Sequence, residues 1–460
     1  MNAPLRRGQC PTLAAPMQTG DGLLARLNPV TSGLSPKALI GLCEAALRHG
    51  NGIVEVTARG SLQIRGLTTR SAARLAAEVD ALSIAVRTGV PVETGPLAGL
   101  DPDEIADPRP LAERIRAGIA DGGLGDRLGP KVAVVVDGGG HSGMDAVAAD
   151  VRLTAGRDGS GALWRLGVAG DAATAKQFGK CDEIKARDAV LEILKAIAAL
   201  GREGRARDLS RQALKRILVE SQRSTLPPGA ISPLAGEMSG RTEGGNVGRC
   251  HSQKQRRNKI LPLTDGRFAF PIALPFGHAP VDDLIGFVRK VETCGIAEIS
   301  LAPRRTLILL CPSETSAKVA QTIAGNADFI VDADDPRANI AACPGAPACA
   351  SGHIPARTMA AEIAATMPGG LDLHVSGCEK RCAKPGHKGL TLLGFSDGAR
   401  LVLEGAGPAP LAHVARGEAV AAVGRVAGLV ASSRKPGESE AQCLERIDKN
   451  RLAKVFAGEH

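Results

Sequence analysis

Four cysteines are spaced in a way that points to chemistry. Cys343 and Cys349 have five residues between them, Cys378 and Cys382 have three, and 28 residues separate the two pairs. Four thiolates satisfy a [4Fe–4S] cube, one per iron. Both pairs lie in Gly-bearing segments, ACPGAPACASG and SGCEKRCAKPG, that can bend around a cluster and offer backbone N–H groups to its sulfides. Zinc also takes four cysteines, but its structural sites usually pair them about two to four residues apart, a poor match to the first spacing. Plain buried thiols are the third reading. The other seven, Cys10, Cys43, Cys181, Cys250, Cys294, Cys311 and Cys443, stand singly in apolar patterns or turns and are expected as buried or free thiols.

A second group of residues has the right types without the right setting. Gly138-Gly139-Gly140-His141-Ser142-Gly143 fits the G-x-G-x-x-G fingerprint of dinucleotide binding. Only MDAVAAD separates it from the next strand-like run, however, too little for the helix that must cross back over a parallel sheet. His141, His353, His374, His387 and Glu379 are of types that ligate non-haem iron. They read better as ordinary polar residues of loops and strands.

The elements that must position these groups come in duplicate. Pro36–Leu67 and Pro280–Leu310 each show helical periodicity, a glycine and two short β-branched runs, an αββ unit. Leu39-Ile40-Gly41 lies over Leu284-Ile285-Gly286, and Arg59 over Arg304, both at an offset of 245. Further on, KVAVVVD at 131–137 followed by Gly138 parallels LDLHVS at 371–376 followed by Gly377: a buried strand ending at a glycine. GGGH stands in the first half where CEKRC stands in the second, so only one half carries the thiols. Helices are expected at 182–203, 209–222, 408–430 and 438–456. Between the halves, 224–259 loses periodicity and is rich in Gly, Pro, Ser and positive charge, which predicts an exposed linker. Its QKQRRNK run reads better as solvated linker than as a nucleic-acid patch.

Composition narrows the rest. The 460 residues suffice for several cores, and 44% hydrophobic content supports globular folding. Eight Phe, one Trp and no Tyr leave little for base stacking or interfacial aromatic belts, so no nucleic-acid or membrane partner is expected. The net charge of +9 would attract a polyanion without saying which. The chain has no run of transmembrane length, its start lacks a signal peptide's apolar core, and its cysteines form no dense disulfide pattern. It is therefore read as cytoplasmic.

The cysteine arrangement, the duplicated αββ unit and the segment TARGSLQIRGL together resemble the sulfite and nitrite reductases that couple a [4Fe–4S] cluster to siroheme. The resemblance implies an α+β chain of two ferredoxin-like half-domains and two mixed sheet/helix domains in pseudo-twofold arrangement. The expected divisions are 1–80, 81–223 (no cluster), a linker at 224–260, 261–325, and 326–460 carrying the cluster. It also implies that Cys382 bridges to siroheme iron, if siroheme is present, and that Arg59 and Lys131 are catalytic cations. The chain departs from the pattern where the second lysine of the K-x-K element would stand, at Ala133, and in lacking an arginine just upstream of Gly95-Pro96-Leu97-Ala98-Gly99. A small dianion reduced by six electrons needs dense positive charge, which argues against that reaction here.

The opening RRGQCPTLAAPMQTGDG, with GPLAGLD and VDGGG, resembles instead the precorrin-3B synthases of that superfamily. That resemblance implies an O2-dependent monooxygenase acting on precorrin-3A in cobalamin biosynthesis, hydroxylating a meso carbon and closing a lactone from the ring A acetate. It further implies a second iron centre, mononuclear or siroheme, and an electron donor such as an NADH-linked reductase or a ferredoxin. Arg59, Arg65, Lys131, Arg304, Arg305 and Lys384 are the residues expected to pair with the substrate's eight carboxylates. The alternatives are a siroheme-dependent sulfite or nitrite reductase and a non-catalytic iron–sulfur electron carrier or sensor.

Overall fold

The computed structural model describes residues 10–30, 33–158, 161–223, 259–367, 371–383, 389–403 and 410–459. Lys384, His387, Cys250 and nearly all of the linker lie outside them. The chain divides into two compact units. One comprises Met1–Ala85, Asn258–Ile260 and Ala269–His460, the other Val86–Arg257 and Leu261–Phe268. Three stretches expected as separate subdomains thus share the first unit.

In that unit the repeated segments form αββ elements. The helix Pro36–His49 starts where the Ser35 hydroxyl accepts the Ala38 N–H and Pro36 supplies a preset φ. Leu39, Leu42, Cys43 and Ala46 recur at helical spacing and are buried. Its counterpart Val281–Glu292 buries Leu284, Ile285, Val288 and Val291, and the two helices pack together. Each helix is followed by a hairpin, Ile53–Val56 with Leu62–Leu67 and Glu298–Ala302 with Thr306–Cys311.

The short strand before each helix then joins the other copy's sheet. Gly33–Leu34 pairs with Glu298–Ala302, and His278–Pro280 pairs with Ile53–Val56. One sheet therefore runs Met17–Thr19, Gly22–Leu27, Leu62–Leu67, Ile53–Val56, His278–Pro280. This reciprocal exchange ties the repeats together through backbone hydrogen bonds, which a sequence alignment of the repeats does not reveal.

The last sheet of the unit runs Ile340–Ala342, Leu373–Ser376 and Leu390–Phe395 in parallel, then Gly398–Leu403 and Ala412–Val414 antiparallel. The second unit repeats this topology with Val92–Thr94, Val134–Asp137, Ala149–Asp158, Gly161–Gly170 and Lys176–Cys181. Val134–Asp137 and Leu373–Ser376 are the equivalent second strands, buried throughout as a strand inside a covered sheet must be.

Two expectations need correction. The C-terminal helices are three, Ala419–Ser433, Glu440–Arg446 and Lys449–Ala457, because Asp448 caps a new N-terminus by accepting from Asn450 and Arg451. Ala412–Val414, expected in a helix, is instead an edge strand on Gly398–Leu403. Among the described residues, no helix is long and apolar enough to cross a membrane.

Candidate functional site: an arginine-lined cleft beside four thiols

The four thiols sit on two loops pressed together backbone to backbone. Cys343 ends the strand Ile340–Ala342 and is buried, its N–H bound to the Val375 carbonyl. The Gly377 N–H donates to Cys343 Sγ at 3.1 Å, the contact a thiolate ligand needs to hold negative charge in a dry site. A Cβ at Gly377 would stand 2.7 Å from Gly345 Cα, and one at Gly352 would stand 2.5 Å from the Ala346 nitrogen. Only glycine lets the loops approach so closely. Cys378 follows at the end of the neighbouring strand, where the Ser376 hydroxyl donates to its carbonyl at 2.7 Å.

Cys349 and Cys382 complete the group. Cys382 is exposed and near enough to feel the charges of Cys343, Cys349 and Cys378. No three His, Cys, Asp or Glu side chains among the described residues converge as ligands of one ion. Tetrahedral zinc would draw its thiolates to about 3.8 Å from one another. A cube with an iron at each ligated corner takes them further apart, and four thiolates are the donor set that such a cube needs.

The Thr19–Gly22 turn abuts this loop. Gly20 accepts the Ala350 N–H at 3.0 Å, and a Cβ on Gly20 would overlap Cys349 Sγ. Next to it, Asp21 takes the fork of Arg65, Nε to Oδ2 and Nη2 to Oδ1, both at 2.7 Å. Both side chains are buried. Burial raises the Asp21 carboxyl, but the hydrogen bonds and charge of Arg65 outweigh it and hold the group below its usual range.

Beside these loops opens a cleft of about 180 Å³, lined by Arg26, Glu55, Arg59, Gln63, Arg65 and Arg305 together with Cys343 and Cys382. The expected residues Arg59, Arg65 and Arg305 thus meet two of the thiols on one surface. Arg305 comes from the hairpin turn of the second repeat, where Arg304 and Arg305 both hold left-handed backbone with φ of 63° and 65°. Its Nη2 reaches the Ala383 carbonyl, and a Cβ at Gly277 would overlap its side chain.

Two expected residues are placed differently from expectation, and a third belongs to the second unit. Arg65 is committed to Asp21, with Glu55 3.6 Å away, so its fork is not available for a substrate carboxylate. Arg304 is absent from the cleft lining and donates its backbone N–H to Ala58. Lys131 is exposed in the second unit. Of the candidate iron ligands among the described residues, His353 and Glu379 are exposed, His374 is buried on its strand, and His141 belongs to the second unit.

Sequence reasoning missed Arg26, Glu55, Gln63 and Arg357. Arg357 Nη2 donates to Glu55 Oε1 at 2.6 Å. A signal for the first three was present: each is a polar residue between buried apolar ones on a strand, and they occupy a single cross-strand row.

In the second unit the Gly138–Gly143 loop opens no helix, and the strand Ala149–Asp158 follows directly. Asp137 accepts from the Gly139 and Met144 N–H groups, and His141 Nδ1 and Nε2 lie 3.1 Å from Asp101 and Asp103. Burial pushes nearby Glu104 up to about 7, against the N–H of Gly99 that it accepts. A carboxyl raised on folding contributes stability present below its unfolded value and lost as pH rises through the folded one. Glu104→Gln, which keeps the acceptor, should therefore raise the melting temperature at pH 8. The gain should shrink on acidification from about 7 toward 4.5, as thermal unfolding at several pH values would show.

Known proteins share sequence and fold with this chain. Residues 15–82 match the nitrite/sulfite reductase ferredoxin-like half domain. A precorrin-3B synthase from Sinorhizobium sp. is 36% identical, over 99% of this chain and 95% of its own. A ferredoxin–nitrite reductase from Synechococcus elongatus is 24% identical over 81% of this chain and 76% of its own. Among solved structures, the NirA protein of Mycobacterium tuberculosis superposes with a TM-score of 0.69 at 16% identity, covering 94% of this chain and 84% of that one.

Proposed function

The chain belongs to the precorrin-3B synthase family, and from that premise we propose that it hydroxylates precorrin-3A with dioxygen in the arginine-lined cleft. The carrying observation is that Arg26, Arg59 and Arg305 share one surface with Cys343 and Cys382. A guanidinium binds a carboxylate in a bidentate fork, and a reduced tetrapyrrole with eight carboxylates offers several partners. In the balanced reaction, one oxygen atom enters the substrate carbon and the other leaves as water, taking two electrons and two protons. The ring A acetate supplies the lactone oxygen.

Cys343, Cys349, Cys378 and Cys382 would hold a [4Fe–4S] cluster, with the Gly377 N–H supporting one thiolate and the space above Gly20 admitting another. When bound, such a cluster supplies single low-potential electrons. The chain's own contribution is orientation. Arg59 and Arg305 face the carboxylates, while Asp21 keeps Arg65 from competing for them. A second iron, mononuclear or in siroheme, and an NADH-linked reductase or ferredoxin as donor would complete the scheme. At the position of the reductases' second lysine, Ala133 is buried and carries no charge, which favours the synthase over a sulfite or nitrite reductase.

Arg59→Ala tests the cleft. Loss of a charged hydrogen bond, worth about 1.5–3 kcal/mol, should raise KM for precorrin-3A by roughly 10- to 100-fold, with iron content unchanged. An unaltered KM would place the substrate elsewhere.

A further inference from the structure

Gln63 stands directly across from Arg26 on one neighbouring strand and from Glu55 on the other. Its two amide ends are therefore committed. Gln63 Nε2 donates to Glu55 Oε2 at 2.9 Å, and Gln63 Oε1 accepts from Arg26 Nη2 at 2.6 Å and Nε at 3.1 Å. The second oxygen of Glu55 takes Arg357 Nη2, from the first turn of the helix Ala356–Thr366, which follows the Cys349 loop.

The direction of these hydrogen bonds is chemically forced. Arginine only donates and an ionised carboxylate only accepts, so the amide between them has one orientation. Glu55 is buried, with 9% of its surface exposed, in a cleft otherwise dominated by arginines.

We infer that Glu55 and Gln63 form a directional hydrogen-bond relay that positions Arg26 on the cleft wall to receive a substrate carboxylate. Glu55 is a positioning residue, since it acts through Gln63. The inference rests on the cleft being the precorrin-3A site. In a Glu55→Gln variant, the new amide oxygen keeps Arg357 and its –NH2 faces Gln63. The Gln63 amide must then turn, presenting its own –NH2 to the Arg26 guanidinium, and donor meets donor.

The consequence is a rescue that a space-filling role does not give, while Gln63→Leu, which keeps the Glu55 carboxylate and breaks the link to Arg26, should raise KM roughly tenfold where a role limited to charge balance leaves it unchanged. Glu55→Gln should raise KM for precorrin-3A roughly tenfold, with kcat within about twofold and the iron content of wild type. Adding Gln63→Glu should restore KM, because the carboxylate it introduces accepts both from the new amide on the neighbouring strand and from Arg26. Circular dichroism and bound iron check that each variant is folded. If Glu55→Gln raises KM and the double variant does not restore it, or if Arg26→Ala raises KM while Glu55→Gln does not, the relay is wrong though the cleft stands. If Arg26→Ala and Arg59→Ala both leave KM unchanged, the cleft itself is not the substrate site.

Discussion

Replacing Cys343 by serine is expected to strip the protein of its acid-labile sulfide and of the cluster's share of the iron, and to reduce turnover of precorrin-3A by about 100-fold or more, since losing even an outer-shell partner of a metal site typically costs about 10- to 100-fold. Cys343 is buried, and its sulfur already receives the Gly377 N–H. A serine oxygen sits closer to its own backbone and is a poor partner for iron in a thiolate cluster. The matched control is Cys43→Ser. Cys43 is buried in the helix Pro36–His49, where burial pushes its thiol up to about 12, so it stays protonated and fills space. That variant should keep its iron and lose only some stability, because a buried hydroxyl without a partner costs about 1–3 kcal/mol. Iron and sulfide assays on the two proteins separate ligand from filler; acid-labile sulfide retained at the wild-type level in Cys343→Ser would refute the ligand set.

Asp21→Ala should be the most destabilising change in the site outside the cysteines. The Asp21 and Arg65 side chains are only 2% and 4% exposed, and removing one partner of a buried pair costs about 3–5 kcal/mol because the other charge is left stranded. The melting temperature should fall by roughly 10 °C. Asp21→Leu with Arg65→Met should recover most of it, since an apolar pair of similar volume avoids the desolvation cost. The pH dependence follows from the depressed Asp21 carboxyl. Its stabilisation is fully present above the unfolded value of about 3.9 and is lost as pH falls through the folded value. The gap between wild type and Asp21→Ala should therefore close on acidification below about pH 4, and a gap independent of pH would contradict the ion-pair account.

What could be read from the chain alone depended on how local the information was. The thiols were legible because each pair is bound by short spacing, and the duplication because 245 residues of offset still preserve Leu-Ile-Gly and an arginine. Arg59 is marked by its motif, whereas the repeat points to Arg304 and it is the neighbouring Arg305 that lines the cleft. The relay was not, because Arg26 meets Gln63 across 37 positions and Arg357 meets Glu55 across 302, and only strand register and the packed helix bring them together. Arg65 was read as a substrate ligand for the same reason: its true partner lies 44 residues earlier, in a turn whose aspartate looked like ordinary turn chemistry. The strand exchange between repeats was equally hidden, since Gly33–Leu34 carries too few residues to announce a strand.

The central claim is that this chain uses dioxygen on precorrin-3A beside a four-thiol cluster site. It is tested most directly by giving anaerobically purified, iron-loaded protein precorrin-3A, a reductant and isotopically heavy dioxygen, then weighing the product. The expected result is one heavy oxygen atom per product molecule, with one dioxygen consumed for each two electrons. Unlabelled product, or turnover of sulfite or nitrite with precorrin-3A left untouched, would contradict the account.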